Sequence, residues 1–280
     1  MPELPEVETV VRRLRPTLLG REIEAVEVLD PRFCTPASPE RFEGSLSGVT
    51  VTEVGRRGKY IVVALSSAQT LLMHLRMTGT LLIDPVVVQG HERLRLNLSG
   101  GVTVVFNDPR RFGTGHLLES ADVDSYFSSR LGLEPFDRDF TADHFFSLTR
   151  DRRSPLKNFL LDQKLVAGIG NIYADEALFR ARLHPLRMPR GVTREQAAQL
   201  RLGIIDALQA GIDAGGATID DFRDPDGAWG AYQSEFLVHR REGQGCPECG
   251  NVIVRFKVGG RSTYCCEQCQ PRPSRVKVSR

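Results

Sequence analysis

No stretch of this sequence approaches the roughly 20 consecutive apolar residues that a membrane-spanning helix needs. The glutamates at positions 3, 6 and 8 stand where a secretory signal would have a basic start and an apolar run, so the chain reads as cytoplasmic. Internal repeats and low-complexity tracts are absent too, which sets aside solenoids and disordered linkers. Net charge is nearly absent: 37 basic residues face 35 acidic ones, leaving +2, too little to name a partner. What remains is an ordinary globular composition, 41% hydrophobic and 26% charged, in 280 residues. That length allows a sizeable core and two domains.

Hydrophobic period divides the chain. Val7, Val10, Val11, Leu14 and Leu18 fall at helical spacing, with Gly20 as a stop and Pro16 casting doubt on the last turn. From Arg21 to Leu118 short alternating runs replace it: 23–28, 49–52, 60–63, 94–98 and 102–106. Ser99-Gly100-Gly101 between the last two reads as a hairpin turn, and the set suggests an antiparallel sandwich. Beyond Pro135 the period is helical. Ser154 is expected as an N-cap with Pro155 at the first helical position, and Thr193 with Gln196 as a capping box. After Phe236 strand-like segments return.

Those last segments carry Cys246-x2-Cys249 and Cys266-x2-Cys269. Two such pairs, each on a tight turn, can close a tetrahedron of thiolates around one zinc ion; disulfides or an iron site are the alternatives, and reduced cytosolic thiols count against disulfides. Four sulfurs leave no open position, so the metal is structural and supplies much of the folding energy of a short segment. Cys265 competes with Cys266, but the symmetric spacing favours Cys266. Cys34, alone among strands, reads as a small buried apolar residue. From His239 onward nine Lys/Arg meet three acids, a local excess that suits a polyanion or a solvated tail equally.

Pro2 carries two readings. It opens a helix, together with Pro5, or, once Met1 is removed, it is a secondary amine beside Glu3. An α-amine titrates at roughly 8, so part of it is nucleophilic at neutral pH. Other segments are similarly two-sided. Gly168, Gly170 and Asn171 form a helix–helix turn with Asn171 as cap, or a phosphate-binding helix start. Asp108-Pro-Arg110-Arg-Phe112-Gly113 places an aromatic beside arginines, for stacking on bases or for a plain turn. Met77 is core filler or a wedge. Lys59, in a basic turn, is a phosphate ligand or solvated.

The order of these segments resembles the bacterial formamidopyrimidine-DNA glycosylases, within the wider family that includes the endonuclease VIII-type enzymes. The resemblance runs through Pro2-Glu-Leu-Pro-Glu-Val-Glu8, Gly58-Lys59-Tyr60, His74-Leu-Arg-Met77, Asp108 to Gly113, Gln163 to Glu176 and Gly259 to Tyr264. It implies an α+β multidomain protein. Residues 1–133 would be a catalytic antiparallel β-sandwich with an N-terminal helix. Residues 134–235 would be a helical domain with a helix–two-turn–helix motif, and 236–280 a zinc-finger β-hairpin with a basic tail. DNA would lie in the cleft.

By the same resemblance the chain is a monomeric glycosylase and AP lyase of base excision repair. It would flip out oxidised purines from double-stranded DNA and cut the strand by β,δ-elimination, with one structural zinc and no redox or organic cofactor. Pro2 would be the nucleophile, Glu3 the general acid and Lys59 a phosphate ligand in the active site. Glu6 and Glu176 would support the base or the active site. Asn171 and Arg261 would grip phosphates beside the lesion, with Lys157, His74 and His91 as lesser contacts. Met77, Arg110 and Phe112 would fill the space of the flipped nucleotide, whose extrusion costs a few kcal/mol.

Two places depart from the family pattern. His239-Arg240 stands where tyrosine-glycine is usual, a change expected to affect packing alone. The stretch from Gly216 to Trp229 matches the lesion-capping region loosely, which opens the base preference. An oxidised-pyrimidine glycosylase, a silent damaged-DNA-binding protein and a zinc-ribbon interaction module are the alternatives.

Overall fold

The protein is described by a computed structural model over residues 1–86, 90–219 and 222–273. Asp220 and Asp221 of the capping stretch, and Arg275, Lys277 and Arg280 of the basic tail, lie outside the described residues. The chain divides into two compact units, Met1–Ser129 with Gly211–Gln233, and Arg130–Ala210 with Ser234–Arg280. Residues Gly211–Gln233 therefore belong with the N-terminal unit rather than with the helices that precede them.

The first unit opens with α1 (Leu4–Leu18), followed by β1 (Glu22–Val28), α2 (Pro39–Leu46), β2 (Val49–Arg57), β3 (Tyr60–Leu65) and β4 (Gln69–His74). After these come β5 (Thr80–Ile83), β6 (Glu92–Leu98), β7 (Val102–Asn107), β8 (Thr114–Glu119) and α3 (Val123–Ser128). The strands run β5-β7-β6-β1-β2-β3-β4-β8, every neighbour antiparallel. β1 and β2 meet at only Glu22↔Thr50 and Ile23↔Val49, so the order joins two four-strand halves at a narrow seam. One apolar cluster draws on both halves, with Val26, Leu96 and Phe106 from one and Val54, Ile61 and Met73 from the other. That is the expected sandwich.

Helix α1 lays Val7, Val10, Val11, Leu14 and Leu18 into this cluster, each essentially fully buried. Each contributes about 1.5–3 kcal/mol of burial. Those contacts hold the last turn despite Pro16, and Arg15 Nε adds a hydrogen bond to the Val54 carbonyl at 2.9 Å. The doubt about that turn is thus corrected: the proline costs one backbone bond near the helix end, where burial outweighs it. Leu98 pairs with Val102 across the expected hairpin, whose Gly100 and Gly101 adopt φ of 84° and 76°. Cys34 is buried.

The second unit holds α4 (Ala142–Thr149), α5 (Leu156–Leu161), α6 (Asn171–Arg180), most of α7 (Arg194–Asp213) and the hairpin β9 (Val254–Val258) with β10 (Arg261–Cys265). The capping box forms: Gln196 N donates to Thr193 Oγ1 at 3.2 Å, and Thr193 N to Gln196 Oε1 at 3.1 Å. Helix α5 starts one residue later than expected, with Pro155 itself as N-cap. Gly170, not Asn171, caps α6, which frees the Asn171 side chain for another partner. Among the described residues no helix is long and apolar enough to cross a membrane.

Candidate active site and nucleic-acid interface

In the first unit the N-terminal turn is locked by a reciprocal pair. The Glu3 carboxylate accepts the backbone N–H of Glu6, and Glu3 N donates to Glu6 Oε2 at 2.8 Å. Pro2, Glu3 and Glu6 are all buried. The second oxygen of Glu6 accepts Ala217 N at 2.8 Å, which ties the capping stretch to the start of α1. Gly216 lies between, at φ 85°, and a Cβ there would stand 3.0 Å from Glu6 Cγ. Gly230 closes the stretch: its N–H donates to Thr218 Oγ1 at 2.9 Å, and a Cβ would fall 2.3 Å from the Gly216 carbonyl oxygen. Glu6, expected to support the base or the active site, also clamps Glu3 to this loop through its two oxygens.

Lys59 is buried rather than solvated, in the two-residue turn where Arg57 pairs with Tyr60. Glu8 of α1 reaches Arg56 Nε at 3.0 Å, and Arg56 donates to the Gly58 carbonyl at 2.9 Å. Burial pushes the Glu8 carboxyl upward, but Arg12 and Arg56 outweigh it and hold it below the usual range. His74, also buried, accepts the Arg76 N–H at 2.9 Å on Nδ1. Burial first, then the charges of Arg76, Lys59 and His116, push it down to about 3. It is therefore a neutral imidazole with no cation to offer a phosphate. His91 gives its carbonyl to Asp108 N at 2.9 Å. Met77 and Phe112 are 40% and 50% exposed, and Arg110 stands 5.0 Å over the Phe112 ring. The core-filler reading of Met77 is thereby set aside, and Phe112 stands out from its turn rather than in the core. Trp229, 62% exposed, carries Arg223 at 4.1 Å over its ring.

In the second unit the sulfurs of Cys246, Cys249, Cys266 and Cys269 lie within 4.8 Å of one another. Cys249–Cys266 and Cys246–Cys269 are 3.5 and 3.8 Å apart, against about 3.8 Å for the edge of a tetrahedron with 2.3 Å zinc–sulfur bonds. The donors fit one structural zinc. The backbone N–H of Asn251 leads the effects that lower the Cys249 thiol to about 7, toward the thiolate a metal needs. Cys265 lies outside the cluster beside His184, its thiol pushed up by burial. Near the hairpin tip, Asn171 Nδ2 donates to the Ser262 carbonyl at 3.0 Å, and Arg261 is exposed one residue away.

Three family models match. They are the formamidopyrimidine-DNA glycosylase N-terminal domain over residues 1–115, its H2TH domain over 131–223, and a zinc finger found in FPG and IleRS over 243–272. The formamidopyrimidine-DNA glycosylase of Pelotomaculum thermopropionicum is 43% identical, covering 96% of this chain and 99% of its own. The chain belongs to the formamidopyrimidine-DNA glycosylase family. The enzyme of that name from Chloroflexus aurantiacus is 42% identical over 96% of this chain and 98% of its own. A Lactococcus lactis FPG variant solved with a Fapy-dG containing DNA superimposes with a TM-score of 0.91. It is 34% identical and covers 97% of this chain and 100% of that one. The L. lactis enzyme with an abasic site containing DNA gives 0.90 at 34% identity, over 96% of this chain and 100% of that one.

Against the resemblance to this family, two expected contacts in the second unit have other work. Lys157 is fully buried, its ammonium bonded to Asp175 Oδ1 at 2.7 Å, the Ser262 carbonyl at 2.9 Å and Thr263 Oγ1 at 3.0 Å. Three acceptors match its three donors, so its charge goes to holding β10 rather than to a phosphate. Glu176, also fully buried, accepts the N–H groups of Leu237, Val238 and His239 at 3.0 to 3.2 Å and pairs with Arg180 at 3.0 Å. It anchors the segment leading to the zinc hairpin. His239 is more than a packing substitution, because its Nδ1 meets Asp175 Oδ2 at 2.9 Å. Nothing in residue spacing signalled that a carboxylate could be consumed by amides from 60 residues away. Glu176→Ala is expected to cost about 3 kcal/mol or more, as for other broken buried ion pairs, and to lower Tm by roughly 5–10 °C. Thermal unfolding checks this; an unchanged Tm with lost activity would return Glu176 to the active site.

Proposed function

We propose that this chain is a bifunctional DNA glycosylase and AP lyase of base excision repair that excises oxidised purines from duplex DNA in the cytoplasm. Full-length family membership carries the reading, joined to a buried first turn in which Glu3 is held one residue from Pro2. Freed of Met1, the Pro2 nitrogen attacks the anomeric carbon of the damaged nucleotide as the glycosidic bond breaks. Glu3 protonates the sugar ring oxygen, and the ring-opened sugar remains on Pro2 as an iminium. That cation acidifies the neighbouring sugar carbon, so elimination of first the 3′ and then the 5′ phosphate follows from the same intermediate. Lys59, Asn171 and Arg261 are the phosphate contacts, and Met77, Arg110 and Phe112 fill the vacated stack. Zinc takes no part in these steps; it holds the hairpin that carries Arg261.

Duplexes carrying 8-oxoguanine or thymine glycol test the substrate class. Faster excision of 8-oxoguanine is expected, and the reverse preference would make the chain an oxidised-pyrimidine enzyme. Binding should weaken with salt. Each neutralised phosphate contributes a slope of about −0.9 in log affinity against log salt, so the two proposed phosphate-gripping cations, Lys59 and Arg261, imply a slope of roughly −2, to which the neutral Asn171 amide adds nothing. An affinity flat in salt would contradict a phosphate-gripping role.

A further inference from the structure

Met77 follows β4 and Phe112 follows β7, so the two large exposed side chains of the gap-filling set sit on separate loops. A duplex accepts them together only if the loops keep a fixed spacing. Freezing that spacing at the moment of binding would cost conformational entropy for each immobilised side chain. A preformed arrangement avoids this.

Asp108, fully buried, joins the loops. Its Oδ1 accepts the hydroxyl of Thr78, the residue after Met77, and the Arg110 N–H at 3.1 Å. Its Oδ2 accepts the N–H groups of Phe112 at 2.8 Å and Gly113 at 2.7 Å. One carboxylate thus takes four donors from both loops. Asp108 is itself held from behind, where Arg93 gives its carbonyl two hydrogen bonds at 2.9 and 2.6 Å. Asp30 lies 3.7 Å from Arg93 and 3.8 Å from Arg111, and Arg111 adopts a left-handed φ of 59°. On the other side the loops rest on Phe106. A Cβ at Gly113 would stand 2.5 Å from that ring, and one at Gly79 would stand 2.9 Å from it.

We infer that Asp108 is the positioning residue that presets Met77, Arg110 and Phe112 as one unit for gap filling during base extrusion. This rests on the glycosylase reading above. The carboxylate is suited to the task because all four groups are donors. An asparagine would turn its amide N–H against at least one of them in either orientation, leaving a buried donor unpaired. Asp108 touches no reacting atom in this account; it acts through the side chains it aligns.

The test uses the full-length, zinc-loaded protein as wild type, Asp108→Ala, Asp108→Asn and the milder Thr78→Val. Three readouts are needed: excision of 8-oxoguanine from a duplex, cleavage of a single-stranded abasic oligonucleotide, and fluorescence of 2-aminopurine placed opposite the lesion. A single strand has no gap to fill, so a wedge defect leaves it untouched. Asp108→Ala is expected to slow duplex excision by tenfold or more and to abolish the 2-aminopurine change, with abasic cleavage within twofold of wild type. Asp108→Asn should fall between, and Thr78→Val, which keeps the side-chain volume, should shift duplex excision alone by a few-fold. Equal losses on both substrates, or wild-type duplex excision in Asp108→Ala, would overturn the inference. A wild type inactive on both substrates would overturn the glycosylase reading and the inference with it.

Discussion

Removing zinc, by chelation or by Cys246→Ser, is expected to weaken DNA binding strongly and to reduce excision with it. Beyond the Lys157 and Asn171 bonds to β10 and a small apolar cluster, the hairpin has little else to hold it. Its two strands are five residues each, and the buried cluster around them is Phe179, Val238, Cys246, Ile253, Tyr264 and Cys266. Isolated two-stranded hairpins are marginal in water, whereas a structural zinc contributes about 10–16 kcal/mol of binding free energy that becomes folding free energy. Loss of the metal therefore frees β10. With it go Arg261 and the Ser262 carbonyl that receives both Lys157 and Asn171. Removing those contacts should weaken affinity for a lesion duplex by roughly 100-fold or more at moderate salt. Bound zinc, hairpin order and affinity, measured on one sample, should fall in step. Full affinity in a zinc-free protein would show that the hairpin does not grip DNA.

A chain that keeps Met1, or whose Pro2 nitrogen is acetylated, is expected to lose excision by about 10³-fold or more, the scale of losing a covalent nucleophile. Pro2 is buried beside Glu3 at the head of a helix fixed by its capping box and by the Glu6–Ala217 clamp. An added residue puts the amine on exposed Met1 instead, out of register with Glu3. DNA binding should survive, because the proposed phosphate contacts, Lys59, Asn171 and Arg261, are other residues. The split between retained affinity and lost excision separates a missing nucleophile from a damaged fold. Equal excision by processed and unprocessed chains would place the nucleophile elsewhere.

Features that depend on local spacing were legible in the residues alone. The two C-x2-C pairs, the apolar face of α1, the glycine hairpin and the Thr193 box each follow from neighbours a few positions apart. Side chains whose partners are distant were not. Lys157 looked like a cation free for phosphate until Asp175, Ser262 and Thr263 closed around it, and Glu176, expected to support the active site, takes three amides from 237–239. His239 shows the same limit, since its carboxylate partner is 64 residues earlier. Asp108 was visible within its motif, and an aspartate before proline is a common turn former. Its reach to Thr78, 30 residues back, was not.

On the proposed mechanism the backbone nitrogen of Pro2 carries the reaction. The most direct measurement of this is borohydride reduction during turnover on an 8-oxoguanine duplex, followed by intact mass and peptide mapping of the adduct. One covalent protein–DNA species per active molecule is expected, formed only by chains lacking Met1 and mapping to Pro2. An active protein that yields no adduct, or an adduct on a lysine, would contradict that mechanism.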